Sequence, residues 1–160
     1  MDFRTRTLVI ARNDEDITWA KDKNHVVIQK GHHLPNIGRE ISSWFYFILT
    51  NYETLEGDYV FCQGHPFDHA PNITDGVEHR SKPNGAPDHS GLDIHRIAAE
   101  LDLPILDEYV FLAGAQHETS AEQIKRRPYE WYAKAFLLSL DEKNQVPWIF
   151  ERLIPYIYVV

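Results

Sequence analysis

The sequence predicts a single α/β domain over residues 1–160, with a mostly parallel central sheet and helices on both faces. Three observations predict it. Apolar runs of strand length recur at residues 7–11, 25–30 and 58–62. A long apolar stripe with helical spacing separates the second run from the third. The resulting order of strand, helix, strand, helix, strand is the pattern of an α/β domain.

The first run, TLVIA at 7–11, reads as a buried strand and ends in the polar cluster Arg12-Asn13-Asp14-Glu15-Asp16. That cluster can start a helix containing Ile17 and Trp19. Residues 25–30, HVVIQK, form the second strand, closed by Gly31, and the short crossover suits parallel pairing. Ile41, Trp44, Phe45, Ile48, Leu49 and Tyr52 then follow an i, i+3, i+4, i+7, i+8, i+11 pattern. Asn36 is the expected N-cap of this helix, with Pro35 keeping the preceding chain extended. Residues 58–62 form the third strand, which stops abruptly at Gln63-Gly64.

Residues 64–93 change character. They are rich in Pro, Gly, Asn, Asp and His and read as a long loop, the kind that is usually functional or mobile. Ile94, Ile97, Ala98 and Leu101 mark a short helix, and residues 108–112 another strand ended by Ala113-Gly114. Thr119 and Ser120 each meet a capping-box pattern with Glu122 and Gln123, so a helix should begin there. Pro128 either kinks that helix or starts a second one carrying Trp131, Ala135 and Leu138. Residues 147–158 read as a final apolar helix interrupted by Pro155.

Bulk properties narrow the function. A hydrophobic fraction of 43% over 160 residues supports a folded core. The formal net charge of -8 argues against nucleic-acid binding, which needs a basic face; Lys125-Arg126-Arg127 reads as a solvated helix turn rather than a basic patch. Cys62, the single cysteine, lies mid-strand among apolar residues and reads as a core residue rather than a nucleophile. No apolar run approaches the roughly 18 residues of a membrane span, and the first residues lack the apolar core of a signal peptide. The expectation is a soluble, cytoplasmic protein.

Four constellations carry candidate chemistry. Asn36-Ile37-Gly38-Arg39-Glu40 opens a helix, whose N-terminal N–H groups attract anions. Gly38 permits close approach and Arg39 suits a bidentate phosphate contact; alternatively Asn36 only caps while Arg39 and Glu40 are solvated. Gln63, Gly64, His65, Asp68 and His69 follow the third strand, where α/β domains bind ligands. Asp68 and His69 could hold a divalent ion, His65 could act as acid or base, or the segment could be a plain Asx-turn. Gln116 in Gly114-Ala115-Gln116-His117 could read a polar ligand or merely form a turn. Glu151-Arg152 is a salt bridge or a carboxylate directed into the site.

Taken in order, these segments resemble an uncharacterised domain family whose members look like small glycosyltransferases. The shared pattern is Ala11-Arg12, Glu15-Asp16, Trp19, Lys30-Gly31, Asn36 to Glu40, Phe61 to His69, Gly114 to Gln116, Arg127-Pro128 with Tyr132, and Glu151 to Leu153. By fold-level analogy the resemblance implies a glycosyltransferase-A-like, nucleotide-sugar-binding domain. It implies transfer of a sugar from a nucleoside-diphosphate sugar to an unknown acceptor, with Mn²⁺ or Mg²⁺ as the metal. Arg12, Asn36, Gly38, Arg39, Glu40, Gln63, Gly64 and Gln116 would contact substrate. His65, Asp68 and Glu151 would be catalytic, with Glu151 the acceptor-side base or orienting carboxylate, and Asp68 with His69 would hold the metal. Such folds commonly place Asp-x-Asp where this chain has Gln63-Gly64-His65. Here Asp68 or His69 must substitute, or Arg12 and Arg39 neutralise the diphosphate without a metal. His117-Glu118-Thr119 and Ile154-Pro155 depart from the Phe-Ala-Val and Trp-His expected in relatives, on what would be the acceptor side. Two other readings compete: a metal-dependent hydrolase using the His/Asp loop, and a non-catalytic ligand-binding module of the same fold.

Overall fold

A computed structural model describes residues 6–71, 73, 81–83, 91–104 and 110–158. The strands β1 (Arg6–Arg12), β2 (His25–Gln29) and β3 (Asp58–Gln63) pair in parallel in the order β2-β1-β3. A fourth strand, β6 (His117–Ser120), adds to β3 in antiparallel register, Phe61 opposite His117. Two further strands, β4 (Ser81–Pro83) and β5 (Val110–Leu112), form a separate antiparallel pair. The helices are α1 (Arg39–Asn51), α2 (Ile94–Glu100), α3 (Ala121–Lys125), α4 (Tyr129–Ser139) and α5 (Val146–Ile157). The chain is thus a small α/β domain on a mixed four-stranded sheet.

Strand alternation divides the interior into two cores. Val9, Ala11, Tyr59 and Phe61 point into a large core with Trp44, Phe45, Ile48, Ile124, Tyr132, Ile149 and Phe150 from the helices. Leu8, Ile10, Val60 and Cys62 point the other way, into a small core with Ala20, Ala70 and Ile73. Among the described residues every α-helix adds to the large core. The opposite face is covered by single 3₁₀ turns, Thr18–Ala20 and Pro66–Asp68, with Trp19 packed edge-on to Phe67. The expectation of helices on both faces is corrected accordingly. The segment after Arg12 forms only that short turn, because Asp16 accepts from the Thr18 amide and hydroxyl and closes a tight loop.

Local chemistry explains the helix ends. Ser120 and Gln123 form the reciprocal capping box that starts α3. Pro128 starts α4 rather than kinking α3. The basic triplet is consumed by the fold. Lys125 donates to the Glu53 and Leu55 carbonyls, and Arg126 pairs with Glu122. Arg127 is buried, stacks on Trp131, and donates to the Ile157 carbonyl at the end of α5. Burial lowers the Arg127 pKa. Tyr132 donates to the Ile124 carbonyl, so the Arg127-Pro128…Tyr132 motif locks helix ends together. No helix among the described residues is long and apolar enough to cross a membrane. His79 and His89 of the long loop lie outside the described residues.

Candidate functional site

The connection from β1 to β2 passes over the small-core face, and α1 carries the chain from β2 to β3 over the large-core face. The connections leaving β1 and β2 therefore run to opposite faces of the sheet. Their divergence opens a crevice beyond the carboxyl ends of β1 and β2, flanked by the end of β3, where open α/β sheets bind ligands. The crevice here is a cleft of about 500 Å³, within the usual range for small-molecule sites.

Each strand end supplies a polar wall. Arg12, Asn13 and Glu15 come from the end of β1, and Lys30 from the end of β2. Asn36, Arg39 and Glu40 come from the start of α1. Gln63, His65 and Asp68 follow β3, and Glu142 arrives from the turn before α5. The cleft therefore gathers Arg12, Asn36, Arg39, Glu40, Gln63, His65 and Asp68, residues separated by up to about a third of the chain.

Arg12 is held rigidly. Its Nε donates to the Glu15 carbonyl at 2.8 Å and Nη1 to Gln29 Oε1 at 2.6 Å. Gly64 lies against the Glu15 carboxylate; a Cβ there would stand 2.8 Å from Oε2. Gly38, not Asn36, is the N-cap of α1, with φ of 75°. The backbone must turn left-handed there, and a Cβ would meet the Ser139 carbonyl oxygen at 2.8 Å. Glu142 Oε1 accepts from the Gly38 N–H at 2.8 Å. Part of the anion-attracting helix terminus expected at Asn36–Glu40 is thus already satisfied by a carboxylate of this chain.

Two ionisable groups of the cleft lining have shifted pKa values. Burial raises the Glu40 carboxyl, which is only 15% exposed, against the opposing pull of its own backbone N–H, Arg39 and Gln63. Glu151 adds a like charge that pushes it further in the same direction. Burial lowers Lys30 to about 8, against the attraction of Glu40 and Glu142. Lys30 Nζ donates to the Ile37 carbonyl at 2.7 Å and to Ser42 Oγ. At the cleft mouth His65 Nε2 stands 3.8 Å from Asp68 Oδ1, both side chains being exposed.

His69, Gln116 and Glu151 are not among the cleft-lining residues. The His69 ring packs on Gly114, where a Cβ would stand 2.7 Å from it. Gln116 is buried and donates from Nε2 to the Pro66 carbonyl at 3.0 Å. Glu151 accepts from the Gly114 N–H at 2.6 Å and pairs with Arg152 at 2.9 Å. These three brace the turn after β3 from behind. Among the described residues no three His, Cys, Asp or Glu side chains converge as a metal-binding group. Cys62 is fully buried and burial raises its pKa, as a core residue requires.

Lys30, Glu142, Asn13 and Glu15 belong to the cleft but had no site role assigned from sequence, although Lys30 and Glu15 fall within the shared motif pattern. Lys30 had a usable signal, since it ends a strand as Arg12 and Gln63 do. Glu142 had none, because only the packing of the α4–α5 turn brings it to Gly38. Protein-family models, curated proteins and solved structures include no match to this chain.

Proposed function

We propose that this domain is a glycosyltransferase of glycosyltransferase-A-like form, moving a sugar from a nucleoside-diphosphate sugar to an acceptor hydroxyl. One observation carries the reading: the strand-end crevice sets Arg12, Lys30 and Arg39 among Glu15, Glu40, Asp68 and Glu142. Clustered cations suit a diphosphate, and carboxylates and amides suit sugar hydroxyls. In the reaction the acceptor oxygen bonds to the anomeric carbon. The bond from that carbon to the diphosphate oxygen breaks, and the nucleoside diphosphate leaves with the electron pair. The acceptor proton passes to a carboxylate.

Glu40 suits that last role better than Glu151. It lines the cleft, and its raised pKa moves its basicity toward neutral pH. Glu151 is engaged by Gly114 and Arg152. Asp68 and His65 stand at the open mouth, where an acceptor would enter. If Mn²⁺ or Mg²⁺ takes part, Asp68 is the residue that would hold it, and the metal would offset diphosphate charge.

The test is thermal unfolding against nucleoside diphosphates and sugar nucleotides, with and without manganese, followed by a sugar-release assay. Ligands that bind the folded state raise the midpoint. A nucleotide-dependent rise lost in Arg12→Ala and Arg39→Ala, together with turnover lost in Glu40→Gln, supports the transferase. Binding without turnover supports the non-catalytic module. A rise with metal alone supports the hydrolase, and no rise with any ligand removes the proposal.

A further inference from the structure

Lys30 is a buried cation with no carboxylate in contact, although Glu40 and Glu142 attract it from farther off. It is 7% exposed, and its contacts among the described residues are two neutral groups, the Ile37 carbonyl and the Ser42 hydroxyl. Glu142 is turned to the Gly38 N–H, and the cation beside Glu40 is Arg39, at 3.7 Å. A charge taken out of water is costly unless paired. The local fold does not need this ammonium. Ser42 Oγ also donates to the Ile37 carbonyl at 2.7 Å, so both groups stay satisfied without it. An ammonium carries three donors, and the protein engages two, leaving one for the cleft that Lys30 lines.

We infer that Lys30 is the anchor for the phosphate or diphosphate group of the ligand, which supplies in direct contact the negative charge that Glu40 and Glu142 exert only from farther off. Arg12 and Arg39, on the same cleft, favour a multiply charged anion over a single carboxylate. The inference rests on reading the cleft as a substrate site, and it adds which residue holds the anion.

A proton linkage follows. The charged and titratable groups that line the cleft with Lys30 are Glu40 and Arg39 from α1, Glu142 from the α4–α5 turn, Arg12 and Glu15 from the end of β1, and His65 and Asp68 from the turn after β3. Lys30, held down to about 8 by burial against the attraction of Glu40 and Glu142, loses its charge as pH rises past that value. A bound anion restores the charged form, so binding above that pH takes up a proton.

The experiment is calorimetric titration of the full chain with inorganic pyrophosphate, comparing wild type with Lys30→Met. Wild-type titrations at about pH 8.5 in two buffers of different ionisation enthalpy count the protons exchanged. The expected results are roughly tenfold to hundredfold weaker binding in Lys30→Met, the range for losing a hydrogen bond to a charged group, and net proton uptake by wild type. Equal affinity in Lys30→Met, or failure of wild type to bind pyrophosphate, would overturn the inference. Pyrophosphate itself exchanges protons near this pH, so the uptake is read against Lys30→Arg, whose charge does not titrate there; equal uptake in wild type and Lys30→Arg would also overturn the inference, and that comparison stands if Lys30→Met does not fold. Lys30-dependent pyrophosphate binding without any response to sugar nucleotides would keep the anchor and remove the transferase.

Discussion

Gly38→Ala tests how the cleft wall is built. Gly38 and Gly31 share a left-handed backbone, with φ of 75° and 76°, but differ in surroundings. Around Gly31 a Cβ would meet nothing within 4 Å. At Gly38 it would stand 2.7 Å from Ser42 Cβ and 2.8 Å from the Ser139 carbonyl oxygen. The Ser139 oxygen is backbone in the last turn of α4, so relief requires α1 and α4 to separate. Those helices are locked by the contact of Phe45 with Tyr132, whose ring centroids are 6.2 Å apart. The left-handed backbone alone costs an L-residue about 1–2 kcal/mol. Overpacking adds roughly 1–3 kcal/mol. Gly31→Ala should therefore lose about 1–2 kcal/mol, and Gly38→Ala about 2–5 kcal/mol. Equilibrium urea unfolding, followed by the fluorescence of the buried Trp44, measures both. A difference between the two variants below about 0.5 kcal/mol, the usual scatter of surface substitutions, would refute the steric argument.

Further outcomes follow from burial and capping. The unfolded Lys30 side chain titrates near 10.5 and the folded one near 8, so the unfolded chain holds more protons between those values. Wild-type stability measured against Lys30→Met should therefore rise across that window, by on the order of 1–3 kcal/mol; a flat difference contradicts the burial of the charge. Glu40 has the opposite sign: its pKa is raised in the folded state, so its contribution is full below the ordinary 4.5 and is lost as pH rises through the raised value. Glu40→Gln should be more stable than wild type at pH 7, with the gap narrowing as pH falls toward 4.5 and closed below it, as urea titrations would show. Ser120→Ala removes one half of the capping box of α3 and should lower stability by about 1 kcal/mol in the same assay. The Cys62 thiol should resist a thiol reagent in the native protein and react only on unfolding, because it is buried and its pKa is raised.

Elements with a strong local signal were legible in the sequence. The continuous apolar run at residues 59–62 marks β3, and the periodic stripe from Ile41 marks α1. Ser120 with Gln123 marks the start of α3 within one residue. Elements created by partners were not legible. His117-Glu118-Thr119-Ser120 is too polar to read as a strand, yet it pairs with β3 and buries His117 between Phe61 and Tyr158. Asn36 has the chemistry of an N-cap, but the close approach of α4 requires glycine at the turn, so Gly38 takes the position.

The sequence by itself determined the α/β class, the parallel strands and the run of strand-end residues facing one crevice, because alternation, helical periodicity and turn chemistry act over a few neighbouring residues. Tertiary structure decided which polar groups share that crevice. It brought in Lys30 and Glu142 and placed Gln116 and Glu151 behind the turn after β3. It also decided their charge states. The pKa values of Glu40 and Lys30 depend on burial and on charges contributed by distant segments, quantities that exist only once the chain has packed.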